Sequence, residues 1–452
     1  MIQTRLARSE SVMRTPTQAL KPQEADKPAM PDFSNGVPME LFTPEALEAC
    51  PHARAMFERM KAGGPALSQE NGLESVALAE NGSWIQEKAP ANFQAVTQPS
   101  REWTGKEEIQ KVLSTSPKNV EDNAAKGEEA TEMRLFARER IGEIQHRQLD
   151  AGADKMHRTI HTKQLFGGDV EVHWNPAVKE MFNFFSEDST GGLARISAAS
   201  NEQNPDGKDM YGFALELVGT DGQVTDILMT GGTPRTAASQ AEDGMAQLAL
   251  LNMVGISSKV GGLAKMAYEV GPIDAGRMVV DVGRMKTELN SVSDLEAWSR
   301  APFRLKGKDG HHYLVKMKAT PLSEKAPEAQ EREGETTSER LANDFAAKTA
   351  ENDTRWSFDL QFMQPGDDPN DGRKTWSGPW VNAGEIVIPK IQDGAKAKEM
   401  AQAAEETKFN IWKGKEAHDQ GPDFEVFYPH GNTNLMRLWA YGESARNRGV
   451  AG

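Results

Sequence analysis

Two short stretches hold the side chains best suited to chemistry. In Arg437-Leu438-Trp439-Ala440-Tyr441 the guanidinium and the phenol are four residues apart, a spacing that puts both on one face of a helix. Arg448 follows two turns later on nearly the same face. A free phenol titrates near about 10, so it ligates a metal only when its phenolate is stabilised. A ferric ion and an adjacent guanidinium both favour the ionised form. Taken alone, the pair also fits two neighbours on a helix surface. The second stretch is Arg158-Thr159-Ile160-His161. An imidazole takes and returns protons near neutral pH, although a lone histidine fits an ordinary core or surface position equally well. Arg158, and Arg195 in Arg195-Ile196-Ser197, bracket this histidine with two guanidiniums, which suit a ligand bearing two carboxylates. The nine histidines include no HExxH or similar metal-ligand spacing.

The elements that must position these residues are legible from about Glu128 onward. Met133, Ala137, Ile141 and Ile144 recur at helical spacing, predicting an amphipathic helix that ends near Gly152. Strands follow. Val170, Val172 and Trp174 alternate with polar residues, as do Phe213, Leu215 and Leu217. Ile227–Met229 reads as a strand after the turn Thr220-Asp221-Gly222, and Tyr313–Lys318 as another. The strictest alternation is Trp356-Ser357-Phe358-Asp359-Leu360-Gln361-Phe362, with Ile386–Ile388 after it. Between the strands lie a Gly- and Met-rich helical stretch at about 238–268 and a charged linker from Ser323 to Gly334. Thr336-x-x-Glu339 is a capping box that opens a helix through Leu341 and Phe345. Asn432–Arg448 is again helical. The sum is α+β: an antiparallel sheet, plausible as a closed barrel, with helices packed outside.

The first part of the chain differs. Residues 1–125 are rich in Pro, Gln, Glu, Ser and Asn and are expected to form a polar, largely irregular extension to a folded domain at 126–452. Within the extension, Thr43-Pro44-Glu45 is a helix start, and a short helix is expected from Arg101 to Leu113.

Composition narrows the function classes. The net charge of −15 argues against nucleic acid and against anionic membrane surfaces as partners, and no apolar run approaches a membrane span. Met1–Leu20 has arginines but no apolar core of a secretory signal. The single cysteine, Cys50, offers no intrachain disulfide, cysteine zinc site or iron–sulfur cluster. A cytoplasmic protein is the expectation. Charged residues make up 26% and mean hydropathy is −0.62, so a real core is diluted by solvated stretches.

Several segments together resemble the haem-dependent catalases. RTIHTKQLFGGDVEVHW is similar to the segment of that family in which an Arg and a His begin the barrel. ARISAAS and DMYGFALEL resemble its next two strands, and RLWAYGESARNR its proximal signature. Trp298-Ser299 with Ala301-Pro302-Phe303-Arg304, Phe358-Asp359-Leu360-Gln361 and Phe409-Asn410-Ile411-Trp412 are like segments of the smaller catalase-related proteins. The segments follow the family's order across roughly 128–449.

The resemblance implies a catalase-like antiparallel β-barrel carrying haem b. Tyr441 would be the axial phenolate ligand of the iron, with Arg437 holding its charge. His161 would be the distal base and acid, with Ser197 hydrogen-bonded near its ring. Arg158, Arg195 and Arg448 would pair with the haem propionates. Phe213 reads as core rather than as a cofactor contact. The substrate implied is hydrogen peroxide or an organic hydroperoxide, with an organic co-substrate in a peroxidase cycle, and the assembly implied is a homo-oligomer.

Departures from the pattern matter too. Gly231-Gly232-Thr233-Pro234-Arg235 stands where the family has Asn-Asn-Thr-Pro and then aromatics, so the distal Asn is missing at Gly231. Arg235 and Thr236 replace apolar channel residues, and Tyr211 replaces an Arg. A shorter residue at 231 is expected to leave room for something larger than peroxide. These changes favour a peroxidase-like or hydroperoxide-metabolising enzyme. A true catalase, and a non-enzymatic haem-binding or structural relative, remain as alternatives.

Overall fold

Residues that alternate with period two send every second side chain to the same face, and here those faces build the core. The computed structural model describes residues 103–122, 124–150, 152–199, 208–219, 224–236, 266–267, 271–323, 334–391, 393–413 and 426–450. The helix start at Thr43, the turn at Thr220-Asp221-Gly222, and most of both the 238–268 helical stretch and the Ser323–Gly334 linker lie outside them.

Ten strands form one antiparallel sheet: β1 (Lys163–Trp174), β2 (Ser189–Ala198), β3 (Tyr211–Val218), β4 (Val224–Gly231), β5 (Ala297–Trp298), β6 (Phe303–Lys306), β7 (His312–Pro321), β8 (Thr354–Phe362), β9 (Trp380–Ile388) and β10 (Phe427–Pro429). Neighbours run β7-β5-β4-β3-β2-β1-β9-β8, and β8 pairs back onto β7, closing an eight-strand barrel. β6 and β10 extend from β7 outside that ring. Closure leaves the ring without a free edge. The register aligns apolar residues across strands: Ile196 opposite Phe213, Phe213 opposite Met229, and Val172 and Trp356 both opposite Ile386. All are buried, at about 1.5–3 kcal/mol for each large side chain removed from water. Phe213 packs edge-on against Trp356, with ring centroids 5.1 Å apart, so it is core, as the sequence reading has it.

Seven α-helices lie among the described residues: α1 (Lys106–Thr115), α2 (Gly127–Asp150), α3 (Pro176–Met181), α4 (Pro272–Met285), α5 (Thr337–Glu351), α6 (Gly394–Glu406) and α7 (Gly431–Asn447). The capping box of α5 is formed: Thr336 Oγ1 accepts from Glu339 N at 3.3 Å, and Glu339 Oε2 accepts from Thr336 N at 2.9 Å. α2 ends as expected, with Gly152 at φ 93° in the left-handed region.

The helix expected to run from Arg101 begins only at Lys106. Thr104 is held outside it because its carbonyl accepts from Asn175 Nδ2 at 3.0 Å and its Oγ1 from Asn382 N at 2.8 Å. Ile109, Val112 and Leu113 of α1 are buried in the main core. Residues 103–122 therefore pack onto the barrel, although they fall within the stretch expected to be extension.

Candidate functional site

The helical spacing of Arg437 and Tyr441 becomes a contact in α7. Arg437 Nε donates to the Tyr441 hydroxyl at 2.9 Å, and the guanidinium lies over the phenol ring, 5.4 Å from its centroid. A second bond, from Arg437 Nη1 to Asn434 Oδ1 at 3.1 Å, fixes the fork. Buried Asn434 is itself held by donation to the carbonyls of Pro302 at 2.7 Å and His430 at 3.1 Å. α7 is tied to α2 by Gln145, whose amide donates to the Ser444 carbonyl at 3.1 Å and accepts from Asn447 at 2.9 Å.

His161 stands at the entrance to β1 with φ 60°, a left-handed conformation that costs a non-glycine residue energy. Arg195 Nη2 donates to the His161 carbonyl at 3.0 Å and so clamps that backbone. The ring sits against β3 at Gly212. A Cβ there would lie 3.1 Å from His161 Nδ1 and 3.0 Å from Ser197 Oγ, so the missing side chain lets imidazole and hydroxyl share one notch. The expected bond between them is not formed, because His161 Nδ1 is buried without a hydrogen-bond partner.

Burial lowers the His161 pKa to about 3, and the charges of Arg195, Arg300, Arg158 and Arg437 push in the same direction. The imidazole is therefore neutral at ordinary pH. Arg437, the partner of the phenol, is among the charges that act on it.

Arg158, Arg195 and Arg448 also meet, around a residue the sequence reading missed. Glu405, in the last turn of α6, accepts from Arg195 Nε at 2.9 Å and lies 2.8 Å from Arg195 Nη2 and 3.8 Å from Arg158 Nε. Arg158 Nη2 donates to the carbonyls of Glu405 at 2.8 Å and Thr407 at 3.0 Å, capping the end of α6. Arg448 Nε donates to the Ser444 carbonyl at 3.2 Å. Burial, and then Arg195 and Arg448, lower the Arg158 pKa to about 9. Arg195 and Arg158 thus pair with one carboxylate whose charge also acts on Arg448, an excess of positive charge that suits further carboxylates.

Around Gly231 the expectation of extra room is not met. A Cβ at that position would lie 2.9 Å from Leu295 Cδ1 and 3.6 Å from Tyr211 Cβ, so Leu295 fills the space. The Gly231 carbonyl accepts from Arg300, a second residue missed in the sequence. Arg235, expected near the channel, is exposed. No nearby sequence signal marks Glu405 or Arg300, since both meet their partners through distant chain segments.

No family model and no curated relative matches the chain. Among solved structures it is similar to a bacterial catalase (17% identity, TM-score 0.49, covering 68% of this chain and 60% of that one). A fungal catalase is also similar (14%, 0.49, 67% and 61%), as is catalase A from Saccharomyces cerevisiae (14%, 0.44, 74% and 67%). All three are catalases. The chain spans about three fifths of the length of the first two.

Proposed function

We propose that the protein is a haem-dependent enzyme that cleaves the O–O bond of hydrogen peroxide or an organic hydroperoxide, working as a peroxidase more than as a fast catalase. The observation that carries this reading is the Arg437–Tyr441 bond at 2.9 Å, together with a buried imidazole on which the Arg437 charge acts. A single phenolate does not hold a free ion. It serves as an axial ligand when a macrocycle supplies the others. The residues present fit haem b: Tyr441 for the iron, and the cationic group of Arg158, Arg195 and Arg448 for two propionates.

Bound haem would supply the electrons for O–O cleavage. The chain's own residues do the rest. His161, neutral and unpartnered at Nδ1, takes the proton from one peroxide oxygen and delivers it to the other, which leaves as water or an alcohol. Arg195 holds the His161 backbone in its strained conformation, so the ring is positioned before substrate arrives. The peroxidase preference is supported by Gly231, where no side chain is available to orient a small peroxide. The lone Cys50 supports a reducing, cytoplasmic setting.

The test is an optical spectrum of the purified protein after haem addition, with and without peroxide. A Soret band that changes on peroxide addition and is altered in Tyr441→Phe is the expected result. No haem uptake would replace this reading with a non-enzymatic one. Vigorous oxygen release from hydrogen peroxide would make the protein a true catalase.

A further inference from the structure

Arg300 is an unusual residue to bury. It is 7% exposed, and its own φ is 59°, in the left-handed region. The turn that carries it is pinned on both sides: Ser299 N donates to the Met317 carbonyl at 2.9 Å, Met317 N donates to Ser299 Oγ at 3.0 Å, and Ala301 N donates to the Ser299 carbonyl at 2.7 Å. These bonds fix the backbone from which the guanidinium extends. It donates from Nε to the Thr233 carbonyl at 3.0 Å and from Nη2 to the Gly231 carbonyl. The loop offering those carbonyls is equally fixed, because a Cβ at Gly232 would lie 1.9 Å from the Met285 carbonyl oxygen.

The position is linked to the imidazole through two neighbouring strands. Gly231 follows Thr230, which pairs with Gly212 across β3 and β4. Gly212 is the residue whose Cβ would touch the His161 ring, at 3.1–3.2 Å. Arg300 is also among the charges that His161 feels, and it feels Arg437 in turn.

What Arg300 lacks is an anion. Among the described residues no carboxylate pairs with it, whereas Arg195, equally buried, has Glu405. Two carbonyls engage two of its five N–H groups, and among the described residues no anion balances the charge. A guanidinium taken from water without an anion is destabilising, and an anionic ligand relieves that cost.

We propose that Arg300 is the anion-recognition residue on the His161 side of the site, and that its ligand is the carboxylate of an organic hydroperoxide. This rests on the hydroperoxide reading above and names its substrate class. The carboxylate takes the N–H groups left free by Thr233 and Gly231, which orients the peroxide end toward His161. It also gives discrimination, since a neutral hydroperoxide leaves the guanidinium unpaired.

The test uses hexanoate as the probe, titrated calorimetrically into the full chain in haem-free and haem-loaded form. Wild type is expected to bind in both. Arg300→Met should weaken binding by about thirtyfold or more, the scale for truncating one partner of a buried charge pair, and Arg300→Lys by less. In the absence of hexanoate, Arg300→Met should unfold at the same or a higher temperature than wild type, because a buried unpaired charge has been removed. In the haem-loaded protein, the ratio of kcat/KM for a carboxylated over a neutral hydroperoxide should fall by a similar factor in Arg300→Met.

Hexanoate binding that is absent, or indifferent to both substitutions, overturns the proposal. So does a lower unfolding temperature for Arg300→Met with binding unchanged, which would make Arg300 a clamp on the loop carbonyls. Binding lost on haem loading would assign Arg300 to the prosthetic group's own carboxylates and overturn it as well. A chain that takes up no haem yet binds hexanoate through Arg300 would sink the hydroperoxide reading and leave the anion site standing. Turnover without hexanoate binding would do the reverse.

Discussion

The phenol side and the imidazole side of this site are built in opposite ways. The phenol side is local: Arg437, Tyr441 and Arg448 fall within α7 or at its end, and the decisive bond spans four residues. The imidazole side is assembled from distant pieces. His161 precedes β1, Ser197 lies on β2, Gly212 on β3, and Arg300 is held to Gly231 across 69 residues of chain. A helix delivers a phenol and its charge partner as one prefabricated unit, whereas the strands gather an imidazole, a notch and a cation that have no sequence relation. The phenol side thus depends on one element, and the imidazole side on the closure of the whole barrel.

The largest expected effect tests the local side. Tyr441→Phe keeps the ring and removes the oxygen that accepts from Arg437, so peroxide turnover should drop to background and the haem spectrum should change. Arg437→Met leaves the phenol but removes its charge partner, and a loss of about 10–100-fold in activity is expected. If Tyr441→Phe left both spectrum and turnover intact, α7 would not be the metal-binding side at all.

The same contrast governs what could be read in the sequence. The pair Arg437 and Tyr441, the capping box at Thr336 and the alternation from Trp356 to Phe362 were all legible because each is a short-range pattern with its own physical rule. The barrel's closure is expected from the resemblance and not from the strand patterns, since the pairing of β7 with β8 leaves no mark on either strand alone. Glu405 lay unseen among the alanines and glutamates of α6, although it is the carboxylate that Arg195 meets 210 residues away. Arg300 was passed over in the midst of a recognised segment, because the segment's resemblance rested on its neighbours. The space over Gly231 was misjudged for a related reason: whether a missing side chain leaves a void depends on Leu295, which only the fold brings there.

On the imidazole side, His161→Gln should cut turnover by about 10²–10⁴-fold, the range for loss of a general acid–base, while the haem spectrum stays close to wild type. Equal loss of haem from this variant would show that His161 serves the fold or the cofactor rather than the proton. The variant therefore separates the two sides, since only the phenol side should control the spectrum.

Burial among guanidiniums also gives His161 a signature in stability. Its folded pKa of about 3 lies below the 6.5 of a free imidazole. Above pH 6.5 the ring is neutral in both states and its burial is favourable. As pH falls from 6.5 toward 3, the unfolded chain binds a proton that the folded chain refuses, so stability declines by at most about 1.4 kcal/mol per pH unit. His430, lowered to about 4, contributes a slope of its own. Urea unfolding at pH 7, 5.5 and 4.5 should therefore show a shallower decline in His161→Gln than in wild type. Parallel declines would mean that the ring is hydrated and charged in the folded protein.

The smallest effect concerns the seam between the two sides, where Arg195 touches both His161 and Glu405. Glu405 is about one third exposed and Arg195 almost fully buried, so solvent weakens the pair and its loss should cost the haem-free chain about 1–2 kcal/mol. Glu405→Gln keeps the size and part of the hydrogen bonding while releasing Arg195 from its internal anion. In the haem-free protein the unfolding temperature should fall by a few degrees. Haem should then bind several-fold more tightly, because a propionate no longer competes with a resident carboxylate for the same guanidinium. The opposing signs are what make the variant informative. A fall in both stability and haem affinity would mean that Glu405 positions Arg195 for the prosthetic group instead of standing in for it, and would tie the imidazole clamp to α6 as firmly as the phenol is tied to α7.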